Sequence, residues 1–261
     1  MRIIVLTKPV PDTTGQERLG PDGRVDRAGL PAVVNGNDEY AVEAALKLVE
    51  ASPDGGEVLL LAMAPAGSQD TLRKALAMGA ARAVLVTDPV LEGSCALSTT
   101  RVLAAALREL EFDLVLAGAD TSDGGGGIVA AGIATLLGLP YLSYAASIEP
   151  SEGRVRVRRI TAAGYDLIEA PMPALIAATQ ALGEPRYPSL RGIMGARAKP
   201  VATRSVADLR LGDVAVGGAV ATSRLTGTRV PPARGTARVV QAPPLEAARE
   251  VVAFLEERRL I

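Results

Sequence analysis

Phe112-Asp113-Leu114-Val115-Leu116-Ala117-Gly118-Ala119-Asp120-Thr121-Ser122-Asp123-Gly124-Gly125-Gly126-Gly127-Ile128-Val129-Ala130, running on to Leu139-Pro140, is the stretch that decides the fold. It opens as a short apolar strand from Asp113, ended by Gly118. A polar turn filled with four consecutive glycines follows. A small-residue helix from about Ile128 to Leu137 comes next, stopped by Gly138 and Pro140. A strand, a glycine turn and a helix in that order leave unpaired N–H groups at a helix start, a place suited to an anion such as a phosphate. The helix dipole adds only about 0.3–1 kcal/mol when exposed. Several N–H groups must therefore converge on a bound nucleotide, and glycines allow that approach because no Cβ intervenes. The turn matches neither GxxxxGK[ST] nor GxGxxG, so a merely flexible turn is an equal alternative on its residues alone.

Outward from this stretch, the first half of the chain alternates strand and helix. Ile3 to Leu6, Glu57 to Met63 and Ala83 to Thr87 are apolar runs of strand length, as strands covered on both faces should be. Between and after them, helices are predicted over Glu39 to Glu50, with Asp38 as N-cap, over Gln69 to Met78 and over Ala96 to Leu110. Short connections between such units imply a parallel, doubly wound sheet with right-handed crossovers. Ligands of such sheets bind at the carboxyl ends of strands near a switch in strand order, which singles out the loops after Leu6, Met63 and Ala117. A hairpin is predicted around Pro21-Asp22-Gly23.

After Pro140 the pattern changes. Tyr141 to Ile148, Arg154 to Ile160, Tyr165 to Glu169 and Ala174 to Thr179 read as short strands forming an antiparallel extension of the sheet. From Gly183 the apolar pattern thins. A helix from Leu245 to Leu260, with Ala248, Val251, Val252 and Leu255 along one face, closes the chain. The expected organisation is an α/β domain over 1–200 that includes a loop at 183–199, followed by an arm over 201–261 lying on another subunit.

Composition removes several classes of chemistry. With 28 basic and 29 acidic residues and no long basic run, nucleic acid is not an expected partner. Histidine is absent, so no imidazole serves as general base or metal ligand. The single cysteine, Cys95, makes no internal disulfide and reads as a small packed residue. No catalytic residue and no metal site are expected. The opening Met1 to Lys8 reads as a strand rather than a signal peptide, and no window approaches a membrane span. A cytoplasmic protein without membrane insertion is expected for a prokaryotic source.

Four segments together resemble the beta subunit of electron transfer flavoprotein, over nearly the whole chain. Asn35-Gly36-Asn37-Asp38-Glu39-Tyr40 looks like the family segment that opens the first helix, and Arg73 to Ala80 is similar to its Arg-x-Ala-Leu-Ala-Met-Gly-Ala stretch. Phe112 to Pro140 occupies the place of its nucleotide loop. The most specific match is Glu184-Pro185-Arg186-Tyr187-Pro188-Ser189-Leu190-Arg191-Gly192-Ile193-Met194. The resemblance implies an adenine nucleotide alpha hydrolase-like fold and a heterodimer with an alpha subunit that holds most of the FAD. It also implies electrons taken from acyl-CoA or other flavin dehydrogenases and passed to a quinone oxidoreductase. AMP, or a second FAD in electron-bifurcating relatives, would sit against Leu6, Asn35, Gly36, Asn37, Asp38, Met63 and the run Ala119 to Ala130. Partner docking would use Glu184, Pro185, Arg186, Tyr187, Leu190, Ile193 and Met194. Leu190 would stand at the tip of a projecting turn, although a lone leucine more often tucks into its own domain. Where relatives carry a threonine and a glutamine in the nucleotide loop, this chain has glycine and Ile128. Phosphate would then rest on backbone N–H groups, Thr121 and Ser122. A stand-alone adenine-nucleotide-binding protein of the same architecture is the alternative reading.

Overall fold

The computed structural model describes residues 1–15, 19–27, 30–229, 232, 235 and 237–261. In chain order the strands and helices begin with β1 (Arg2–Leu6), β2 (Pro9–Pro11), β3 (Ala32–Val34), α1 (Gly36–Ala51), β4 (Glu57–Met63) and α2 (Gln69–Met78). There follow β5 (Arg82–Val86), α3 (Ala96–Arg108), β6 (Leu114–Gly118), α4 (Val129–Leu137), β7 (Tyr141–Ser151), β8 (Arg154–Thr161) and β9 (Gly164–Pro171). The last are β10 (Ala174–Ala178), α5 (Leu190–Ala196), β11 (Val201–Arg204) and α6 (Pro244–Glu257). Nine strands form one sheet in the order β11-β5-β4-β1-β6-β10-β7-β8-β9. Every pairing from β11 to β7 is parallel, and β7-β8-β9 is an antiparallel meander. The α/β class, the parallel sheet and the antiparallel extension all stand as read from the sequence.

The alternation of side chains along a strand divides the core between two faces. Ile3 and Val5 of β1 point into the layer that contains Ala41, Val42 and Ala45 of α1 and Leu72 and Leu76 of α2. Ile4 and Leu6 point the other way, among Val102, Leu103 and Leu107 of α3 and Ile133 of α4. Both faces are covered, so the central strands carry unbroken apolar runs.

Three expectations are corrected. Ala174–Ala178 is not part of the antiparallel extension; β10 lies parallel between β6 and β7. All five of its residues are buried, and such a small apolar run fits the middle of a sheet better than its rim. Helix α1 starts at Gly36, one turn before the predicted Glu39, so Asp38 lies inside its first turn instead of capping it. Val201–Arg204, expected in the arm, pairs with β5 as the edge strand β11. Beyond it Leu209 and Val216 are buried against the α3 layer, and Gly217 N–H donates to Ser98 Oγ at 2.6 Å. The hairpin near Gly23 is present as a Leu19–Val25 bridge.

The chain divides into two units, Met1–Leu225 and Thr226–Ile261. In the second unit α6 has no buried residue, and Leu245, Val251 and Val252 are exposed. Among the described residues no helix is long and apolar enough to cross a membrane.

Candidate functional site

The sheet order places the switch point between β1 and β6. From β1 the chain runs through β2 and β3 to α1 on one face, and from β6 it runs through the glycine turn to α4 on the other. A crevice therefore opens at the carboxyl ends of these two strands, the position where doubly wound sheets take their ligands.

The crevice is held together by Asn35 and Asp38, both buried. Asn35 Nδ2 donates to Asp38 Oδ1 at 3.0 Å and to the Asp120 carbonyl at 2.9 Å, and its Oδ1 accepts from Ser122 N–H at 3.1 Å. Its amide is thus spent across the crevice, and α1 has no side-chain cap. Asp38 Oδ2 accepts from Lys8 N–H at 2.8 Å, and its Oδ1 accepts from Gly118 N–H at 3.2 Å. One carboxyl group therefore joins the ends of β1 and β6 to the start of α1. Gly118 has to be glycine here, because a Cβ would stand 2.4 Å from Asp38 Oδ1. Asn37 Nδ2 donates to Asp120 Oδ1 at 2.6 Å and ties down the start of the turn.

Burial pushes the Asp38 carboxyl up to about 7 in spite of its three N–H donors. A native value above the ordinary 3.8 means that the folded protein binds this proton more tightly than the unfolded chain does. The stability Asp38 contributes is then full below about pH 4 and is lost as the pH rises through about 7. Asp38→Asn turns an amide NH2 toward a backbone donor and should cost about 1–3 kcal/mol, the penalty for a buried unsatisfied group. Thermal unfolding checks this, with a gap from wild type that is widest near about pH 4 and narrows toward about pH 8. A gap that widens with pH would show that Asp38 is ionised in the native state.

The glycine turn lies over this knot. Gly125 and Gly127 take positive φ of 54° and 59°, and Gly125 N–H donates to the Thr121 carbonyl at 2.8 Å. Gly124 to Gly127 are exposed, and a Cβ on Gly126 would meet nothing within 4 Å. Ile128 occupies the cap position of α4 without a side-chain cap, so the first N–H groups of α4 remain open. Val129 is half-buried and Ala130 buried at the root of the helix.

Asp123 is the charged centre of the turn. Its carboxylate is fully enclosed, at 0% exposure, by Lys8 Nζ at 2.8 Å and by an ion pair with the Arg27 guanidinium. Burial works against its charge, but the hydrogen bonds from Lys8 and Arg27 outweigh it and hold the carboxyl down to about 2. Lys8 Nζ also lies 3.5 Å from Thr121 Oγ1 and 3.8 Å from where a Cβ on Gly124 would stand.

The structure brings together Asn35 to Asp38 and Asp120 to Gly127. Leu6 belongs to the α3-side core, and Met63 ends β4 on the same sheet edge; neither joins the hydrogen-bonded cluster. Lys8, Arg27 and Thr7 went unnoticed in the sequence. Lys8 had a signal, since it follows directly on a strand whose carboxyl end faces the crevice. Arg27 had none, because its partner is 96 residues away. Thr7 is buried, and its Oγ1 has no hydrogen-bond partner among the described residues.

A second surface lies on the α1–α2 face. Residues 187–192 were expected as a projecting turn, but Leu190–Ala196 forms the short helix α5, started by Ser189 Oγ accepting from Gly192 N–H at 3.0 Å. Tyr187, Leu190 and Met194 are 96%, 75% and 69% exposed, and Ile193 is exposed beside them. Arg186 does not face outward. It donates to Glu43 Oε2 at 2.7 Å and to Glu50 Oε1 at 2.6 Å on α1, while Glu184 stays exposed and Pro185 half-buried. A groove of about 750 Å³ runs between this segment, Tyr40 of α1 and Met78 of α2.

An uncapped helix behind an open glycine turn, set at the switch point of a doubly wound sheet, stands where α/β domains of this class take their ligands. Comparison with known proteins narrows that class. The electron transfer flavoprotein domain matches residues 22–209. The electron transfer flavoprotein subunit beta of Clostridium acetobutylicum is 33% identical over 262 residues, covering all of both chains. The caffeyl-CoA reductase-Etf complex subunit CarD of Acetobacterium woodii is 34% identical over 263 residues, again covering all of both chains. The electron transfer flavoprotein subunit beta of Mycobacterium tuberculosis is 36% identical over 264 residues, covering 99% of each. The chain belongs to the electron transfer flavoprotein family, among its beta subunits. A role in electron transfer, a link to flavin and an alpha-subunit partner come with that membership.

Proposed function

We propose that this chain is the beta half of a heterodimeric carrier that moves electrons from acyl-CoA or other flavin dehydrogenases to a quinone oxidoreductase. It supplies no bond-making residue of its own. The alpha subunit holds most of the FAD, this chain holds AMP in the β1–β6 crevice, and residues 184–194 dock the dehydrogenase. The unit from Thr226 is the arm that lies on alpha, and Met1–Leu225 is the nucleotide domain.

The observation that carries the nucleotide assignment is the uncapped start of α4 beneath an open glycine turn. The residues present fit a phosphate. Main-chain N–H groups are free at the helix start, and the Thr7 hydroxyl just past β1 has no hydrogen-bond partner among the described residues. A second FAD in the same crevice is the form this site would take in a bifurcating relative.

Gly126→Val is the direct test. Gly126 lacks the positive φ of its neighbours, and a side chain there meets open space, so the fold tolerates it. Any loss of ligand then reports a clash with the ligand itself. Nucleotide released on denaturing the purified heterodimer, measured by chromatography, is expected to fall at least about five-fold, a loss of about 1 kcal/mol of binding. Equal nucleotide content in wild type and variant would remove AMP from this turn. A stand-alone adenine-nucleotide-binding protein is the other reading, favoured by the cation Lys8 beside the turn, and ATP hydrolysis by the chain alone is its test.

A further inference from the structure

The enclosed carboxylate of Asp123 pairs with two cations at the glycine turn. Lys8 and Arg27 converge on it from two separate segments, and each spends its charge there. A second carboxylate, Asp120, stands at the start of the same turn, bonded by Asn37. Lys8 and Arg27 are thus already engaged by Asp123 before any ligand arrives. What is left for a phosphate is the neutral set of main-chain donors at Gly126, Gly127 and the start of α4.

From this balance we infer that Asp123 is a selectivity residue that restricts the crevice to an adenosine monophosphate and turns away ADP and ATP. The inference rests on the nucleotide reading of the crevice. One phosphate can be met by N–H groups converging at a helix start. Each further phosphate adds negative charge and needs a cation of its own, as in loops where a lysine reaches the outer phosphates. Lys8 lies beside the turn, 3.8 Å from the Cβ position of Gly124, but Asp123 already holds it at 2.8 Å. An outer phosphate would have to break an enclosed ion pair and leave the Asp123 carboxylate facing a like charge. The selectivity is built by an internal competitor for the cations, without any bulk that narrows the crevice.

The test compares affinities of the full chain, purified with its alpha subunit and freed of small molecules, for AMP, ADP and ATP by titration calorimetry. Wild type is expected to prefer AMP over ATP by about ten-fold or more. Asp123→Asn keeps the shape and removes the charge, so ATP affinity should rise about ten-fold while AMP affinity changes by less than about three-fold. Asp123→Ser serves as the second variant should the amide lower the unfolding temperature. Lys8→Met added to Asp123→Asn should cancel the gain for ATP, because Lys8 is the cation released. A merely structural Asp123 would weaken all three nucleotides together and leave their ratio unchanged, which would overturn the selectivity role. Failure of wild type and both variants to bind any of the three would instead overturn the nucleotide reading on which it stands.

Discussion

A chain cut after Leu225 is expected to keep its fold and to lose its alpha partner entirely. The whole nine-stranded sheet, both core layers and the buried Leu209 and Val216 lie before the cut. The removed unit holds α6, which shields none of its own residues and leaves Leu245, Val251 and Val252 in the open. Burying side chains of that size is worth about 1.5–3 kcal/mol each, so a partner that covers three of them gains enough to decide assembly. The position of the cut matters. A cut after Pro200, the boundary expected from the sequence, would remove β11 from the edge of the sheet along with Leu209 and Val216 from the core. It would confuse loss of folding with loss of assembly. Co-expression of the shorter chain with the alpha subunit, followed by gel filtration and circular dichroism, separates the two effects. A folded Met1–Leu225 chain that still co-elutes with alpha would show that residues 226–261 are dispensable.

The contrast between the two cuts shows which features a sequence displays and which it hides. Phe112 to Pro140 could be read residue by residue because every determinant is local. The strand, the four glycines and the stop at Gly138 all lie within one unit, and β6, the turn and α4 follow it. The place of β10 could not be read. Ala174–Ala178 looks like any short apolar strand, and only the pairing of Leu175 with Val115 and Tyr141 puts it inside the sheet. The same limit applies to the site. Asn35 and Asp38 were legible as a segment at the start of a helix, but their bonds to Ser122 and Gly118 span 87 and 80 residues. Asp123 was legible as one polar residue of the turn, while its enclosure by Lys8 and Arg27 depends on loops that meet only in the fold. The resemblance implies Arg186 as a docking charge beside Leu190. Its side chain instead reaches Glu43, 143 positions away, and burial and charge at that distance leave no trace in local pattern.

Leu190→Ala is expected to raise the apparent KM of a partner dehydrogenase for the carrier by about ten-fold or more, with heterodimer stability and flavin content unchanged. The second half of that expectation follows from exposure. Leu190 is 75% exposed and contributes little to its own domain, so removing it cannot open a cavity. The first half follows from how firmly the segment around it is held. Arg186 pins its start to Glu43 and Glu50, and Arg73 Nη1 pins its end through the carbonyls of Ala196 at 2.8 Å and Arg197 at 3.1 Å. Between these ties α5 lies so close on α2 that a Cβ on Gly192 would stand 2.4 Å from the Ala77 carbonyl. Leu190, Tyr187 and Met194 are therefore presented by a backbone anchored at both ends, which lowers the ordering cost that a partner must overcome. Burying a leucine in a partner's pocket is worth about 1.5–3 kcal/mol, and each 1.4 kcal/mol is a factor of ten. The same leucine left outside any partner's reach would leave dehydrogenase kinetics untouched. Steady-state rates of the variant heterodimer with its dehydrogenase, alongside its unfolding temperature, decide between the two. Unchanged kinetics would move the docking surface away from α5.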